Sequence, residues 1–411
     1  MSKYARSGQY DLTKIVVVTN TSKPVELNLA ESFTEAIVYE SIFDDTMSGN
    51  ISFVDTNGLR NKYALGNGET VVLEWVTAGS DKPIYCEGEV YDLTGPFSVG
   101  EHAAAYTIHW ASPEFIAAAR KKIFTGHIDT TANIVAAIHE QIARGQPKHA
   151  RTKALTTTPT RGIEHLVFTG QTPLQAIKMC ADRSASQAGK TGFIYFEDNQ
   201  AFNFAAVEDL YAAEPIVEFV HKGMPAYEDS NNAAEESFST YQDFEIEDVN
   251  KYLDDLTDGQ YGSSWGFLSI QDKQFTVFNY DAKRRFDAAS SLSKSPVMLD
   301  TGFNDSYSDK LSIRYSVAAR DSAQHSVDNT MKLLKTNNFA VSIGAFGNSN
   351  IRVGATCKAT IPTNSSDGLT PNEVDPLSGK FLIAEIKHVL TPKIYNQRIK
   401  IVKDGYEQVV A

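Results

Sequence analysis

The sequence predicts a mainly β protein in which two β modules flank one helical α+β unit. Three observations support this prediction: β-rich runs fill residues 15–111, a stretch with helix-start signals follows over 112–216, and β-rich runs return from Val217 onward. Of the 411 residues, 42% are hydrophobic and 10% aromatic, so the chain can bury a substantial core. This composition excludes wholesale disorder and collagen-like states.

The first module contains seven short runs rich in β-branched and aromatic residues. They are KIVVV, VELNL, EAIVYESIF, NISFVD, ETVVLEWV, IYCEGEVYDL and AAYTIHW, separated by turn material that includes TSKP, SGN, GNG, SDKP and GPFSVG. In the last run Tyr106, Ile108 and Trp110 alternate with polar residues, as in a half-buried strand. Seven strands at this spacing predict a small barrel or sandwich.

The middle unit is predicted to hold three helices and a hairpin. Ser112, followed by proline and glutamate, starts the helix EFIAAARKKIF, and Asp129 or Thr130 opens a second helix that ends at Gly145. Thr172, also followed by proline, starts a third helix, and GFIYFED and QAFNFAAV form a hairpin. The expected inward positions are Ile134, Ile138, Ile142, Leu174, Ile177 and Ala181. The basic segment 146–161 has loop composition.

The second β module is predicted from six further runs and one helix. The runs are FSTYQDFEI, WGFLSIQDK, FTVFNYD, KLSIRYSV, FAVSIGAFG and IRVGATCKATIP, and the helix is SVDNTMKLLKTN, with Val327, Met331 and Leu334 on one stripe. The C-terminal runs KFLIAEIKHVL and YNQRIKIVKDG read as an antiparallel hairpin, in which Ile399 and Ile401 alternate with basic residues.

Charge is unevenly distributed along the chain, whose formal net charge is -13. Residues 228–258 hold eleven acidic residues and one basic residue, whereas residues 113–190 hold eleven basic and five acidic residues, a local net of +6. The acidic stretch is either a solvated loop or a surface that repels or steers a partner, and sequence leaves both open.

Several features exclude common classes of protein. Cys86, Cys180 and Cys357 are odd in number and far apart, so they form neither a disulfide framework nor a CxxC motif, and we expect all three to be buried small hydrophobes. The first residues, MSKYARSGQYDLTK, lack an apolar signal region, and no apolar stretch approaches the roughly 18 residues of a membrane span. We therefore expect a soluble protein folded in the cytoplasm.

Catalytic patterns occur in the wrong context. Residues 262–266 spell GxSxG, but strand-like residues follow where the nucleophile elbow requires a helix. Gly189, with the following Lys and Thr, imitates the end of a phosphate loop, but Ser184 stands where the first glycine is needed. His139 precedes a glutamate as in a zincin helix, yet Ala143 replaces the second ligand. His388 lies in a strand pattern and is interpreted as a hydrogen-bonded structural imidazole.

No nucleic-acid, metal, cofactor or catalytic site is predicted. The basic residues Lys148, Arg151, Lys153 and Arg161 lack interleaved aromatics, and the overall charge is opposite to that of a typical nucleic-acid-binding protein. The chain is therefore predicted not to be an enzyme.

The C-terminal third carries a recognisable pattern. The runs FAVSIGAFGNSNIRVGATCKATIP and LSGKFLIAEIKHVLTPKIYNQRIKIVKDG resemble the baseplate hub of contractile-tailed bacteriophages and the related hub module of type VI secretion spikes. Shared features are a strand ending in a Gly-Asn turn, an IRVG strand ending at Gly354, a polar excursion, and a strand after Gly379. The middle segment TPLQAIKMCADRSA and the opening SIFDDTMSGNISFVD fit the same family.

The resemblance implies two tube-like β-barrel modules on either side of the middle domain, with three copies forming a trimeric ring around a channel. It implies a first tube-like domain at 1–111, an α+β domain at 112–216, a second tube-like domain at 217–282 and 335–411, and an inserted segment at 283–334. The implied function is a structural virion protein in the tail baseplate that joins the sixfold tail tube to the threefold central spike.

The same resemblance implies the partners. They are two further copies in a homotrimer, the central spike protein and the tail tube protein, with tape-measure and wedge proteins as further candidates and phage DNA only in passage through the channel. No stable membrane binding is expected, and assembly is expected in the host cytoplasm. Two alternatives stay open at this point: a phage-encoded cell-wall hydrolase, and a carbohydrate-binding adhesin whose 18 Tyr and 22 Phe residues line a groove.

Overall fold

The computed structural model describes most of the chain. The described residues are 8–77, 80, 83–100, 103–143, 153–221, 238–249, 254, 258–260, 262–269, 273–282, 291–292, 308–316, 320–365, 368–374 and 377–405. Side chains are described throughout these ranges except at 248–249, 269, 308–316, 320–323, 363–365 and 368–374. All structural statements below concern these residues.

All seven strands predicted for the first module are confirmed. They are β1 (Tyr10–Val18), β2 (Glu26–Asn28), β3 (Phe33–Ser41), β4 (Ser48–Asp55), β5 (Thr70–Thr77), β6 (Ile84–Gly100) and β7 (Ala103–Ala111), with a short helix α1 (Leu59–Tyr63) after β4. They pair antiparallel in the order β3-β4-β7-β6-β5-β1-β2. The prediction of a turn at GPFSVG is wrong, because β6 continues through it and pairs with β7 across several register shifts. Trp75, Trp110 and Phe53 form the centre of this core.

The middle unit mixes helices with short strands. Its elements are α2 (Pro113–Ala119), β8 (Gly126–Asp129), α3 (Thr131–Ala143), β9 (Leu155–Thr157), β10 (Glu164–Val167), α4 (Pro173–Asp182), β11 (Phe193–Glu197), β12 (Phe202–Ala206) and α5 (Val207–Ala212). The predicted hairpin is β11–β12, and the predicted start of α4 is confirmed, since Thr172 forms a capping box with Gln175. The predicted inward stripes are buried.

Two details of this prediction are wrong. Helix α2 ends at Ala119 rather than Phe124, because Ile123 leaves the helix to form a bridge with Gln171. Segment 146–161 is not all loop, because β9 within it pairs with β12. Gly145 and residues 146–152 lie outside the described residues.

The second module contains a closed six-stranded barrel. Its strands are β13 (Glu218–His221), β14 (Thr240–Val249), β18 (Phe339–Phe346), β19 (Thr356–Thr360), β22 (Gly379–Leu390) and β23 (Tyr395–Lys403). They follow the order β19-β13-β14-β18-β23-β22, and β22 pairs with β19 to close the ring. Phe339, Phe381 and Ile401 fill the interior and are fully buried, which stabilises the fold by about 1.5–3 kcal/mol for each side chain.

The chain leaves the barrel between β14 and β18, and this segment, called the excursion below, is longer than the predicted insertion. Strands β15 (Gly262–Ser269) and β16 (Gln274–Asp281), which the sequence placed in the second barrel, pair with β17 (Ser308–Ser316) in a separate three-stranded sheet. Helix α6 (Arg320–Thr336) follows and buries Val327 and Met331, as its stripe predicted. A further hairpin, β20 (Pro362–Ser365) and β21 (Gly368–Val374), separates β19 from β22. Residues 283–290, 293–307 and 317–319 of the predicted insertion lie outside the described residues.

The predicted IRVG strand is also wrong. Residues 351–355 are not in a strand and include a turn at 353–354, and β19 begins only at Thr356. Ile351 and Val353 are nevertheless buried in the barrel core, which accounts for their strand-like composition. Gly354 has φ +77°, a left-handed conformation that favours glycine.

Candidate assembly site at the junction of the two modules

Strand β22 joins the two β modules into one sheet. Its first half pairs with β19, from Gly379 to Leu382, and its second half pairs with β3, from Glu385 to Leu390, while β23 runs along the opposite edge. One strand thus supplies hydrogen bonds to both modules, and the whole forms a thirteen-stranded sheet. The relative orientation of the modules is therefore set by backbone pairing rather than by a linker.

A buried polar network lies under this junction. His388 Nδ1 is 2.6 Å from the Tyr395 hydroxyl and its Nε2 is 3.1 Å from Glu40 Oε1, and all three side chains are buried. Gln397 donates to the Tyr395 hydroxyl (2.9 Å) and accepts from the Asn348 backbone N–H (2.9 Å). The interpretation of His388 as a hydrogen-bonded structural imidazole is confirmed. Burial raises the pKa of Tyr395 well above its ordinary value, so the hydroxyl stays protonated.

Further contacts fix the junction from the side of the first module. The Tyr10 hydroxyl donates to the Thr391 carbonyl (2.6 Å), and the Thr77 and Ser349 hydroxyls lie 2.7 Å apart. The Trp75 ring packs edge-on against Tyr395, with 5.9 Å between centroids. Tyr395 thus belongs to the core of the first module although it begins a barrel strand, so the two modules share this side chain where they meet.

The middle unit contacts the first module through a buried ion pair. Lys153 Nζ lies 2.8 Å from Glu197 Oε1, and the other oxygen of Glu197 accepts from the Met47 backbone N–H at 2.9 Å. Burial disfavours the charged ammonium, but the carboxylate beside it more than offsets this and raises the pKa of Lys153 above its ordinary value. A cleft of about 420 Å³, lined by Tyr85, Glu114 and others, lies beside this pair. Lys153, considered above for nucleic-acid binding, is thus engaged inside the protein.

Helix α6 contacts the middle unit through several polar side chains, and Asn329 makes the largest set of these hydrogen bonds. Asn329 is 1% exposed, and its Oδ1 accepts while its Nδ2 donates, to five backbone groups in all. Those groups are the N–H of Gly192 (2.6 Å), the N–H of Phe193 (3.2 Å) and the carbonyls of Ala181 (3.1 Å), Asp182 (2.9 Å) and Ser184 (2.8 Å). The excursion is thereby tied to α4 and β11, which the sequence did not predict.

Part of the acidic stretch is neutralised on the barrel itself. Arg398 lies 3.4 Å from Asp243 and 2.9 Å from Glu245, and Lys400 lies 3.2 Å from Glu247. Burial alone would raise the pKa of Glu247, but hydrogen bonds from a serine and from Lys400 hold it below its usual range. Acidic residues 228, 229, 235, 236 and 255 lie outside the described residues. The described acids on β14 thus face basic side chains of β23.

The catalytic-looking motifs lie in structural positions. GxSxG residues 262–266 lie within strand β15, where Trp265 Nε1 donates to the buried Ser263 hydroxyl at 2.8 Å, so the predicted strand context is confirmed. Gly189 lies in a loop before β11, also as predicted. His139 is buried on α3 with Nδ1 2.9 Å from the Tyr195 hydroxyl, and burial lowers its pKa.

The expected burial of the three cysteines is confirmed, and all three are free thiols. Burial raises the pKa of each, so none is an activated nucleophile. Within the described ranges, no group of three or more His, Cys, Asp or Glu side chains is arranged to hold a metal ion. Among the described helices, none combines the length and apolar character that crossing a membrane requires.

Comparison with known proteins identifies solved structures that have a similar fold. No protein-family model and no curated protein sequence matches the chain. Among solved structures, a tail protein from Neisseria meningitidis MC58 superposes with a TM-score of 0.55 at 10% identity, covering 97% of this chain and 98% of its own. The 43 kDa tail protein of prophage MuSo2 from Shewanella oneidensis gives a TM-score of 0.55 at 9% identity, with coverages of 95% and 98%. The predicted resemblance to tail proteins is thus confirmed at the level of the fold, over nearly the whole chain.

Proposed function

We propose that the chain is a structural virion protein, the baseplate hub that joins a sixfold tail tube to a threefold central spike. The observation that carries the proposal is the β3–β22 junction, which unites a seven-stranded β module and a closed six-stranded barrel in one sheet. The tail-protein fold supports the same conclusion. In this proposal the protein acts by assembly and not by catalysis.

The physical argument concerns symmetry. Three copies, each with two β modules held in a fixed relative orientation, carry six modules around one axis. Such a ring offers six β modules, two from each copy, to a tube and three identical faces to a spike. A flexible connection between the modules would not support this arrangement, because each module would have to be ordered separately on binding. The buried network around His388 and Tyr395 opposes such flexibility.

The proposed partners are two further copies of the chain, a central spike protein and a tail tube protein, within the tail baseplate of a virion. The experiment is to purify the chain, measure its mass in solution with and without the spike, and image the particle along its symmetry axis. We expect a ring of three copies with six β modules around its axis. A chain that stays monomeric with both partners present contradicts the proposal.

A further inference from the structure

The strands β8 and β10 form a two-stranded ribbon with an exposed apolar face. We name as the ribbon face the side chains of Phe124, Ile128, Ile163 and Val167, whose exposed fractions are 73%, 70%, 63% and 70%. The antiparallel register places Ile128 opposite His165 and Val167 opposite Gly126, so these positions share one side of the ribbon. Leu166 points to the other side and is buried in the core of the middle unit.

The ribbon face is large for an exposed apolar surface. Four large apolar side chains at these exposures present on the order of 500 Å², which is at the upper end of what a monomer leaves in water. Its opposite side packs on α3 and Phe168, so the ribbon does not depend on further burial to keep its position. A surface of this kind marks a protein contact.

A second exposed apolar surface lies on the outside of the barrel. We name as the barrel face the side chains of Glu214, Ile216, Glu218 and Val220, which alternate along β13 and the residues before it. Ile216 and Val220 are 47% and 41% exposed, while the intervening Phe219 is fully buried in the barrel. Ile216 therefore stands between the exposed Glu214 and Glu218, and Val220 follows Glu218.

The two faces lie in segments of opposite charge. Residues 113–190, which contain the ribbon face, have a formal net charge of +6, and +2 remains when the four basic side chains that pair with carboxylates elsewhere in the chain are left out. Residues 214–248, which begin with the barrel face, have a net charge of -9, and -6 remains when the three acids that pair with Arg398 and Lys400 are left out. Complementary charge favours encounter between such surfaces and fixes their orientation.

We propose that the ribbon face of one copy docks on the barrel face of the neighbouring copy in the ring. The inference rests on the proposed trimeric function and assigns its subunit contact. The ribbon belongs to the middle unit and the barrel face to the second module, so the contact joins two different surfaces. Contacts of this head-to-tail type generate closed rings when the rotation between copies closes. Each copy then buries its ribbon face and its barrel face.

The test is directed cross-linking with two cysteine variants, Val167→Cys and Val220→Cys. The three native cysteines are buried, so a flexible bismaleimide reacts at the introduced thiols. A head-to-tail contact yields a covalent dimer when the two variants are mixed and reassembled, and a covalent trimer in the double variant. Neither single variant alone yields a cross-link. Cross-linking of Val167→Cys to itself overturns the proposal, because the contact would then join two identical surfaces.

A second measurement needs no cross-linker and follows how serine substitutions in the ribbon face change assembly. The double variant Phe124→Ser with Ile128→Ser should raise the concentration for half-assembly by tenfold or more, on the order of what loss of a buried apolar anchor causes. The matched control is Phe97→Ser on β6, a phenylalanine that is 56% exposed and outside both faces, which should leave assembly unchanged. Because all three positions are exposed, circular dichroism should report an intact fold for each variant.

The outcomes separate this proposal from the hub function. If the wild type is trimeric but the mixed variants do not cross-link and Phe124→Ser with Ile128→Ser assembles normally, the docking proposal is overturned and the hub function stands. If the wild type never trimerises, even with the spike present, both are overturned.

Discussion

Replacing Asn329, which is 1% exposed, by alanine removes its hydrogen bonds to five backbone groups, of which the Ala181 carbonyl keeps the Ser184 N–H as a partner. A buried polar group left unpaired costs about 1–3 kcal/mol. Neighbouring groups relax and water can enter the space left by the amide, so the five costs do not add fully. We expect Asn329→Ala to lower the free energy of unfolding by about 3–5 kcal/mol.

The assay is urea unfolding, combined with hydrogen exchange at α4, β11 and α6. We expect the first loss of protection at α6 and at the C-terminal end of α4, because Asn329 joins these two helices. The matched control is Asn57→Ala in the exposed loop after β4, which should change stability by about 0.5 kcal/mol or less. A loss of under about 1 kcal/mol in Asn329→Ala would refute the argument that this amide holds the excursion in place.

Three further predictions concern other buried sites. In Gly88→Ala the new Cβ overlaps the buried Trp110 ring, and we expect urea unfolding to report a loss of at least about 2 kcal/mol. Glu197→Gln leaves the Lys153 ammonium buried beside a neutral amide, and the same assay should report a loss of about 2–4 kcal/mol. Burial, with a neighbouring ammonium, lowers the pKa of Lys335 to about 8, so this group binds a proton more weakly in the folded than in the unfolded chain. Relative to Lys335→Met, the wild type should therefore gain about 1–2 kcal/mol as the pH rises from about 8 to about 10.

Each of these predictions has its own check. Gly344→Ala is the control for Gly88→Ala, because its Cβ would meet the movable carboxylate of Asp243 rather than a packed ring, and equal losses in both would contradict the steric argument. The double variant Lys153→Met with Glu197→Leu should be more stable than Glu197→Gln alone, since it leaves no buried charge. For Lys335 the difference from Lys335→Met is decisive, because the thiols and phenols with raised pKa lower stability in the same pH range in both proteins. A constant difference across that range contradicts the assignment.

Much of the strand content could be predicted because it depends on local alternation. The seven runs of the first module and the hairpin of β22 and β23 have apolar residues facing one side, and this pattern identifies a strand without reference to its partners. The pairing of β22 with both β19 and β3 could not be predicted in this way. Alternation assigns a side chain to a face of the sheet, whereas the choice of neighbour depends on distant segments.

The exposed apolar surfaces were harder to predict, because sequence reasoning assigns large apolar residues to the buried core. Phe124 and Ile128 have the composition of buried positions, yet the structure leaves them 73% and 70% exposed. The opposite holds for Asn329, because an asparagine within a polar helix is expected on the surface, yet this one is buried. His388 was identified from its strand context, whereas its partner Glu40 is 348 residues away in sequence and carried no local signal.

The two-partner strand β22 also has a mechanical consequence. A load applied to one β module along this strand reaches the other through the rungs between residues 385–390 and β3, which run across the direction of pull. Backbone hydrogen bonds loaded in this way share the force and must break together, whereas hydrogen bonds pulled apart from one end would break one after another. We therefore expect the junction to resist tension applied along β22 as one unit, with little change in the angle between the two modules.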